Sequence, residues 1–390
     1  MVIPAYNEPY LLLSLMSLKR CHLPQSDVEV IVVINDSELS PIEIKQKNIA
    51  LLEQATLWSQ KNSTPRLRFR IVYQDDLPKK FSGVGLARKI GMDEACYRFE
   101  KINQANGIIV CFDADSLCEK NYFQAIETHF EQHPKIAACS IHFEHPLFGV
   151  DFDTEIYQAI TRYELHLRYF INAQGWAGAP FAFQTIGSAM AVRSNHYQQQ
   201  GGMNRRKAGE DFYFLHKFIG LGKCNNLVTT TVIPSPRISD RVPFGTGKAI
   251  GEIVQNNKAY DTYHPNIFKD IKELFENIDP LYTSTNTWQS LLASDALKTY
   301  LKTQDFDEKL SELKSNTANL SSFKKRFFQW FNAFQLMKFA NFAREKYYGT
   351  MPVDEAATWL LKEFGEEADF QDEKTLLLAY RALDKSNSQS

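Results

Sequence analysis

Three apolar runs set between stretches of helical spacing constrain this chain more than any other feature of it. Val28-Glu29-Val30-Ile31-Val32-Val33-Ile34 is a near-continuous β-branched run, the pattern of a strand buried on both faces. Residues 66–73 alternate: Leu67, Phe69, Ile71 and Tyr73 share one face, and Arg66, Arg68 and Arg70 the other. This predicts a half-buried strand nearer the edge of the sheet. Gly107-Ile108-Ile109-Val110-Cys111-Phe112 predicts a third strand that ends in Asp113. Helical spacing over 10–20 and 85–100 fills the intervals. Strands alternating with helices imply βαβ units: an α/β fold with a mostly parallel sheet flanked by helices. Farther on, the spacing predicts a helix over 154–173, a strand over 185–193 containing Gly187 and Ser188, a loop over 198–207 and a helix over 211–220. From about 250 the pattern is helical and more charged, which predicts an α/β region over 1–250 and a helical C-terminal region over 251–390.

In open parallel sheets, ligands bind beyond the carboxyl ends of the strands. The polar residues collect there: Asn7-Glu8, Asp36, and Asp113 with Asp115. Two carboxylates two positions apart at a strand end can turn toward one point. Mg²⁺ and Mn²⁺ favour oxygen ligands, often one or two carboxylates completed by substrate phosphates. The plainer alternative is that Asp115 caps a helix beginning near Leu117. The formal net charge of −2 and the absence of basic nucleic-acid motifs point away from nucleic acid.

The ordered set of motifs is more specific than any one of them. Met1-Val2-Ile3-Pro4-Ala5-Tyr6-Asn7-Glu8 opens the chain, and Val33-Ile34-Asn35-Asp36-Ser37 ends the next strand. Gly85-Leu86-Ala87-Arg88-Lys89-Ile90-Gly91 opens a helix, Asp113-Ala114-Asp115 follows the third strand, and Gly201-Gly202-Met203-Asn204 precedes Gly209-Glu210-Asp211. In this order the set resembles the family 2 glycosyltransferases, which have the GT-A fold, over roughly residues 1–245. The resemblance implies a nucleotide-sugar-binding half over 1–116 and an acceptor half over 117–250. It implies that Pro4, Ala5, Tyr6 and Glu8 line the nucleotide pocket, that Asp36 accepts a hydrogen bond from the base (commonly uracil), and that Arg88 faces the nucleotide side. It also implies that Asp113 lies near the ribose or the metal, that Asp115 binds the metal, and that a carboxylate of Glu210-Asp211 is the general base of an inverting transfer to a glycan or lipid-linked hydroxyl.

The chemistry of sugar transfer suits such residues. A divalent metal stabilises the departing diphosphate, and a carboxylate near the attacking hydroxyl contributes about 10²–10⁴-fold. Arg237 and Arg241 are candidates to hold the diphosphate, and 243–248, punctuated by Gly245 and Gly247, is a candidate lid. If Asp211 starts a helix, the helix dipole lowers its pKa and favours it over Glu210 as the base. His142, His145, His196 and His216 have no ligand spacing, so a third metal ligand stays unassigned. Three departures from the family pattern stand out: almost no strand before the Pro4–Glu8 turn, Lys89 where Asn is usual, and Asn35-Asp36-Ser37 in place of Asp-Asp-Gly. The Gln-x-x-Arg-Trp run of processive synthases is also missing, which favours transfer of one sugar per encounter.

Competing readings are a nucleotidyltransferase, which wants a glycine-rich basic phosphate loop that Pro4–Glu8 lacks, and a non-catalytic transferase-like binding module, which the full complement of carboxylates opposes. Six scattered cysteines without Cys-x-x-Cys pairs read as buried, reduced thiols of a cytoplasmic protein. No run is long and apolar enough to span a membrane. The aromatic run 323–342 with its flanking Lys324, Lys325 and Arg326 reads either as a core helix or as an interfacial helix on the inner face of an anionic membrane. The last five residues read as a tail without structure.

Overall fold

The computed structural model describes residues 1–241, 245–256, 259–285, 287–366, 370 and 372–386. Pro243 and Phe244 of the expected lid, and all of the expected tail except Ser386, lie outside the described residues. In chain order the first elements are β1 (Val2–Ala5), α1 (Leu11–Lys19), β2 (Val28–Ser37), α2 (Ile42–Asn62), β3 (Leu67–Leu77), α3 (Val84–Lys101), β4 (Ile108–Cys111), β5 (Leu117–Cys118), α4 (Tyr122–Gln132) and β6 (Ala138–Phe143). They continue with α5 (Thr154–Trp176), β7 (Met190–Arg193), α6 (Ser194–Gln199), α7 (Glu210–Ile219), β8 (Cys224–Ile233) and α8 (Thr246–Asn256).

The eight strands form one sheet in the order β3-β2-β1-β4-β7-β6-β8-β5. Strands β3, β2, β1 and β4 run parallel, β7 is antiparallel to β4 and β6, and β8 is parallel to β6. This is the mostly parallel α/β sheet expected from the strand pattern, and its antiparallel pairings make it mixed, as the GT-A, Rossmann-like resemblance implies. Because β7 is antiparallel to β4, the residues that enter β7 lie at the edge of the sheet where β4 ends, with Cys111 opposite Met190. The sheet's interior comes from the β-branched runs: Val30 through Ile34 are all buried, as are Ile109, Val110 and Cys111.

Short as it is, β1 is a full member of the sheet. It pairs with β2 from Val2 opposite Ile31 to Ala5 opposite Ile34, and all four of its residues are buried. The expected strand over 185–193 is shorter, because 185–189 form a turn closed by Ala189 N–H on the Ile186 carbonyl at 2.9 Å. No helix begins near Leu117, which instead opens β5, paired with β8, so Asp115 is no helix cap. Thr246-Gly247-Lys248 of the expected lid form the first turn of α8.

The chain divides into two compact units. The first holds 1–160, 185–254 and the described residues from Ala382 on; the second holds 161–184 and the described part of 255–381. The first unit thus runs to Val254 in this part of the chain, and 161–184 belong to the second unit. That unit is helical: α9 (Pro265–Glu276), α10 (Ile278–Thr283), α11 (Asp295–Thr303), α12 (Phe306–Ser315), α13 (Leu320–Trp330), α14 (Ala333–Ala343), α15 (Val353–Glu363) and most of α16 (Glu373–Ser386). A two-stranded ribbon of β9 (Asp261–Tyr263) and β10 (Thr350–Pro352) accompanies them. The aromatic run 323–342 is two helices rather than one. Phe323, Phe327, Phe331 and Phe339 are fully buried, and no large apolar side chain of the run is exposed. Phe328, Trp330, Phe334, Met337 and Phe342 of the run are half-buried. Among the described residues, no helix is long and apolar enough to cross a membrane.

Helix α3 lies against β1 and β2 through glycine. A Cβ on Gly91 would stand 2.3 Å from Val2 Cγ1 and 3.1 Å from Val33 Cγ2, closer than packed side chains approach. Gly91→Ala is expected to destabilise the chain by about 1–3 kcal/mol through overpacking. The check is the urea midpoint, which should fall with the slope unchanged; an unaltered midpoint would show that α3 can shift freely on the sheet.

Candidate active site

The carboxyl edge of the sheet in the first unit carries most of the residues singled out from the sequence. The turn after β1 places Glu8, the end of β2 places Asp36, the segment after β4 places Asp113 and Asp115, the turn before β7 places Gly187, and the chain beyond β8 supplies Arg237 and Arg241. Helix α3 brings Arg88 to the same edge, and the first turn of α7 brings Glu210.

Arg88 joins these segments. It is 1% exposed. Its Nη1 donates to the Gly187 carbonyl and its Nη2 to Asp113 Oδ1, each at 2.8 Å. Glu210 Oε1 lies 3.5 Å from the same Nη2. Burial alone would lower the guanidinium pKa, but the surrounding carboxylates, Asp113 foremost and then Glu210, raise it, so Arg88 stays charged. The Gly187 carbonyl is available because residue 187 is glycine: a Cβ there would meet both terminal nitrogens of Arg88 at 2.9 Å.

A second basic residue sits among the other carboxylates. Arg237 Nε donates to Asp115 Oδ2 at 2.6 Å, and its Nη2 to Glu8 Oε2. Arg241 Nη1 donates to Glu8 Oε2 at 3.0 Å and to the Tyr6 carbonyl at 2.7 Å. Even so, burial, and secondarily the charge of Asp115, push the Glu8 pKa up to about 7. Asp113 is also raised, first by desolvation, and Arg88 opposes the shift. Glu8 is buried, Asp115 is half-buried and the Asp113 side chain is 38% exposed, and arginine supplies compensating charge to each. Asp113 Oδ2 and Asp115 Oδ1 take part in none of these bonds, which leaves two hard oxygen donors for a cation. No cluster of three or more His, Cys, Asp or Glu side chains suited to a metal occurs among the described residues, and no histidine joins the pair.

Asp36 differs from its neighbours in having no exposed surface. Its Oδ1 accepts from Asn48 Nδ2 at 2.9 Å and its Oδ2 from the Tyr73 hydroxyl at 3.0 Å. Asn48, inside α2, is a residue that sequence reasoning missed. Fully buried, it donates also to the Asn35 carbonyl, while its own Oδ1 accepts the Asn7 N–H at 2.9 Å. One amide thus fastens the end of β2 to the turn after β1, where Asn7 takes a positive φ of 48°. Nothing in the sequence separates Asn48 from a surface asparagine on a helix.

Glu210 and Asp211 open α7 behind Gly209, whose φ of 69° favours glycine. The expectation that the helix dipole lowers Asp211 is overturned. Its pKa is raised, chiefly by burial, with Arg88 opposing. Glu210 rises to about 7 for the same leading reason, with Asp211's charge adding to it. Desolvation in this crowded pocket outweighs the dipole, which contributes about 0.3–1 kcal/mol at an exposed position.

Residues 1–186 match a family profile, Glycosyl transferase family 2. This part of the chain is a family 2 glycosyltransferase domain, and the protein is a glycosyltransferase. No curated protein matches the chain. Among solved structures, TarS 1–349 of S. aureus in complex with UDP-GlcNAc is similar at 15% identity and a TM-score of 0.39, covering 100% of this chain and 90% of that one. TarS 1–349 in complex with UDP matches at 14% identity and a TM-score of 0.39, covering 100% and 88%, and TarS 1–349 alone at 14% and 0.38, covering 74% and 75%.

Asn48→Ala would strip Asp36 and the Asn7 N–H of a buried partner at once. The expected cost is about 1–3 kcal/mol, read as a lower midpoint of equilibrium unfolding. A variant as stable as wild type would mean that water or a neighbour takes over both bonds.

Proposed function

We propose that this glycosyltransferase moves a sugar from a nucleoside-diphosphate donor, a UDP-sugar by preference, to a hydroxyl of a glycan or lipid-linked acceptor, with inversion and with one divalent cation. The observation that carries the reading is the meeting of Glu8, Asp113, Asp115, Arg88, Arg237 and Glu210 at the carboxyl edge of one sheet in the first unit.

Asp115 and Asp113 would hold Mn²⁺ or Mg²⁺, donor phosphates completing the shell. The carboxylates themselves fit a cation there: Asp113 and Asp115 each keep an oxygen outside the arginine contacts, and both lie near enough to Glu8 to add to the upward shift that burial gives it. When bound, the metal supplies Lewis-acid stabilisation to the departing diphosphate. Arg237, now neutralising Asp115 and Glu8, is then free to turn its guanidinium to a phosphate, and Arg241, which also contacts Glu8, shares that task. Asp36 would take the imide N–H of the base in the place the Tyr73 hydroxyl now fills. Pro4, Ala5 and Tyr6 would line the pocket beside it.

For the base we favour Asp211. Glu210 is 3% exposed and spends its charge on Arg88, whereas Asp211 keeps a partly exposed side chain. Glu210 then acts on Arg88, holding it toward Asp113. Burial raises Asp211 above the ordinary aspartate range, which makes it a better proton acceptor than a solvated carboxylate once ionised.

Asp211→Asn is expected to lower kcat by about 10²–10⁴-fold with little change in KM for the donor. In the wild type, kcat/KM should fall as pH drops through the raised pKa of the base, because only the carboxylate form accepts the proton, and this acidic limb should vanish in the variant. A variant with wild-type kcat would move the base to Glu210. Asp115→Asn should abolish any dependence of rate on added Mn²⁺, and a metal response that persists would remove Asp115 from the ligand set.

A further inference from the structure

Two cysteines remain outside this chemistry, and they lie together. Cys21, just past the end of α1, and Cys118, in β5, are separated by 97 residues, yet their Sγ atoms are 3.5 Å apart. The segments that bear them are already fastened to each other. The Ser17 Oγ accepts the Cys118 N–H at 3.1 Å, His22 N–H donates to the Lys120 carbonyl at 2.7 Å, and the Glu127 carboxylate accepts the N–H groups of Gln25 and Ser26 at 2.7 and 2.8 Å. Bringing distant thiols into contact is the entropic obstacle to a long-range disulfide, and this fold has overcome it. Three of the other thiols face different partners: Cys111 faces Met92 Sδ at 3.7 Å, Cys96 meets the Ser194 hydroxyl at 3.2 Å, and Cys224 faces the Asn225 carbonyl, while Cys139 is buried near Cys224.

We propose that Cys21 and Cys118 are a redox-modification site, forming a reversible disulfide when the chain meets hydrogen peroxide. The Cys21 thiolate attacks one peroxide oxygen, the O–O bond breaks, and the departing hydroxide takes a proton to leave as water. The Cys118 thiol then attacks the sulfenic sulfur, the S–O bond breaks, and a second water leaves with the thiol's proton. Two thiols lose two electrons and two protons, and one peroxide becomes two waters. The order of roles follows the electrostatics: a hydrogen bond from Cys118 favours the thiolate at Cys21 and holds Cys118 protonated. A small oxidant is needed, since Cys21 is nearly buried and Cys118 half-buried.

The bond would bear on the site. Cys118 lies three residues beyond Asp115, and α1 continues from the turn that carries Glu8, with the Ser14 hydroxyl already donating to the Ala114 carbonyl at 2.9 Å. A disulfide would fix the segment of the carboxylate pair to α1 covalently. The inference rests on the packing of α1 and β5 and stands apart from any donor or metal.

The test uses the full chain treated with hydrogen peroxide, blocked with iodoacetamide under denaturing conditions, digested without reductant and read by mass spectrometry. The expected result is one dominant linked peptide pair, Cys21 to Cys118, that disappears with dithiothreitol, while Cys96, Cys111, Cys139 and Cys224 carry the alkyl group. Oxidation should also raise the thermal midpoint of the wild type and leave that of Cys118→Ser unchanged. Recovery of Cys21 and Cys118 both alkylated, joined to other cysteines, or oxidised past the sulfenic state without a link would overturn the proposal.

Discussion

A guanidinium buried at the edge of the sheet, that of Arg88, organises the candidate site. Charge in such a place costs several kcal/mol of desolvation unless partners repay it. Here the Asp113 carboxylate, the Gly187 carbonyl and the more distant Glu210 do so. The partners come from the segment after β4, the turn before β7 and the start of α7. Keeping Arg88 charged therefore fixes three parts of the fold against α3, and the geometry of Asp113 is a by-product of that compensation. The antiparallel placement of β7 is what lets a turn 99 residues away in sequence reach the same edge.

Arg237 plays a different part. Of its carboxylate partners, Asp115 keeps partial access to solvent, while Glu8 is buried and is pushed toward protonation first by that burial. The edge of the sheet holds more acidic charge than its arginines fully relieve. Such a pocket is a poor place for an anion alone and a good one for an anion that brings a cation with it, as a metal–diphosphate does. Arg88, locked from several sides, and Arg237, held by two side chains, separate a fixed cation from one that a ligand can redirect.

Much of this was legible from the sequence, for identifiable reasons. The runs 28–34 and 107–112 are apolar because their strands are covered on both faces, so burial itself wrote the signal. Asp113 and Asp115 stand out through their place in an ordered set of motifs, since a pair of carboxylates after a strand serves equally well as a turn or a cap. Other features left no mark. Helix α2 buries Asn48 and Ser59 beside Leu51 and Ala55, which blurs its apolar stripe, and the service Asn48 performs is visible only once β1 and β2 are paired. The turn at 185–189 reads as strand until Gly187 is seen turned toward Arg88. The direction of Asp211's pKa was misjudged because the helix dipole follows from local sequence, while the burial that overrides it comes from residues far along the chain. The return of 161–184 to the helical unit likewise depends on packing that no local pattern encodes.

The central claim is that the carboxyl edge of this sheet binds a nucleoside diphosphate together with a divalent cation. Isothermal titration of the full chain with UDP, GDP, dTDP and CDP, each with and without Mn²⁺, addresses it directly. Saturable binding at one site is expected, strongest for UDP and at least tenfold weaker when the metal is removed. Absence of binding for every nucleotide in the presence of metal would contradict it, as would equal affinity with and without the cation.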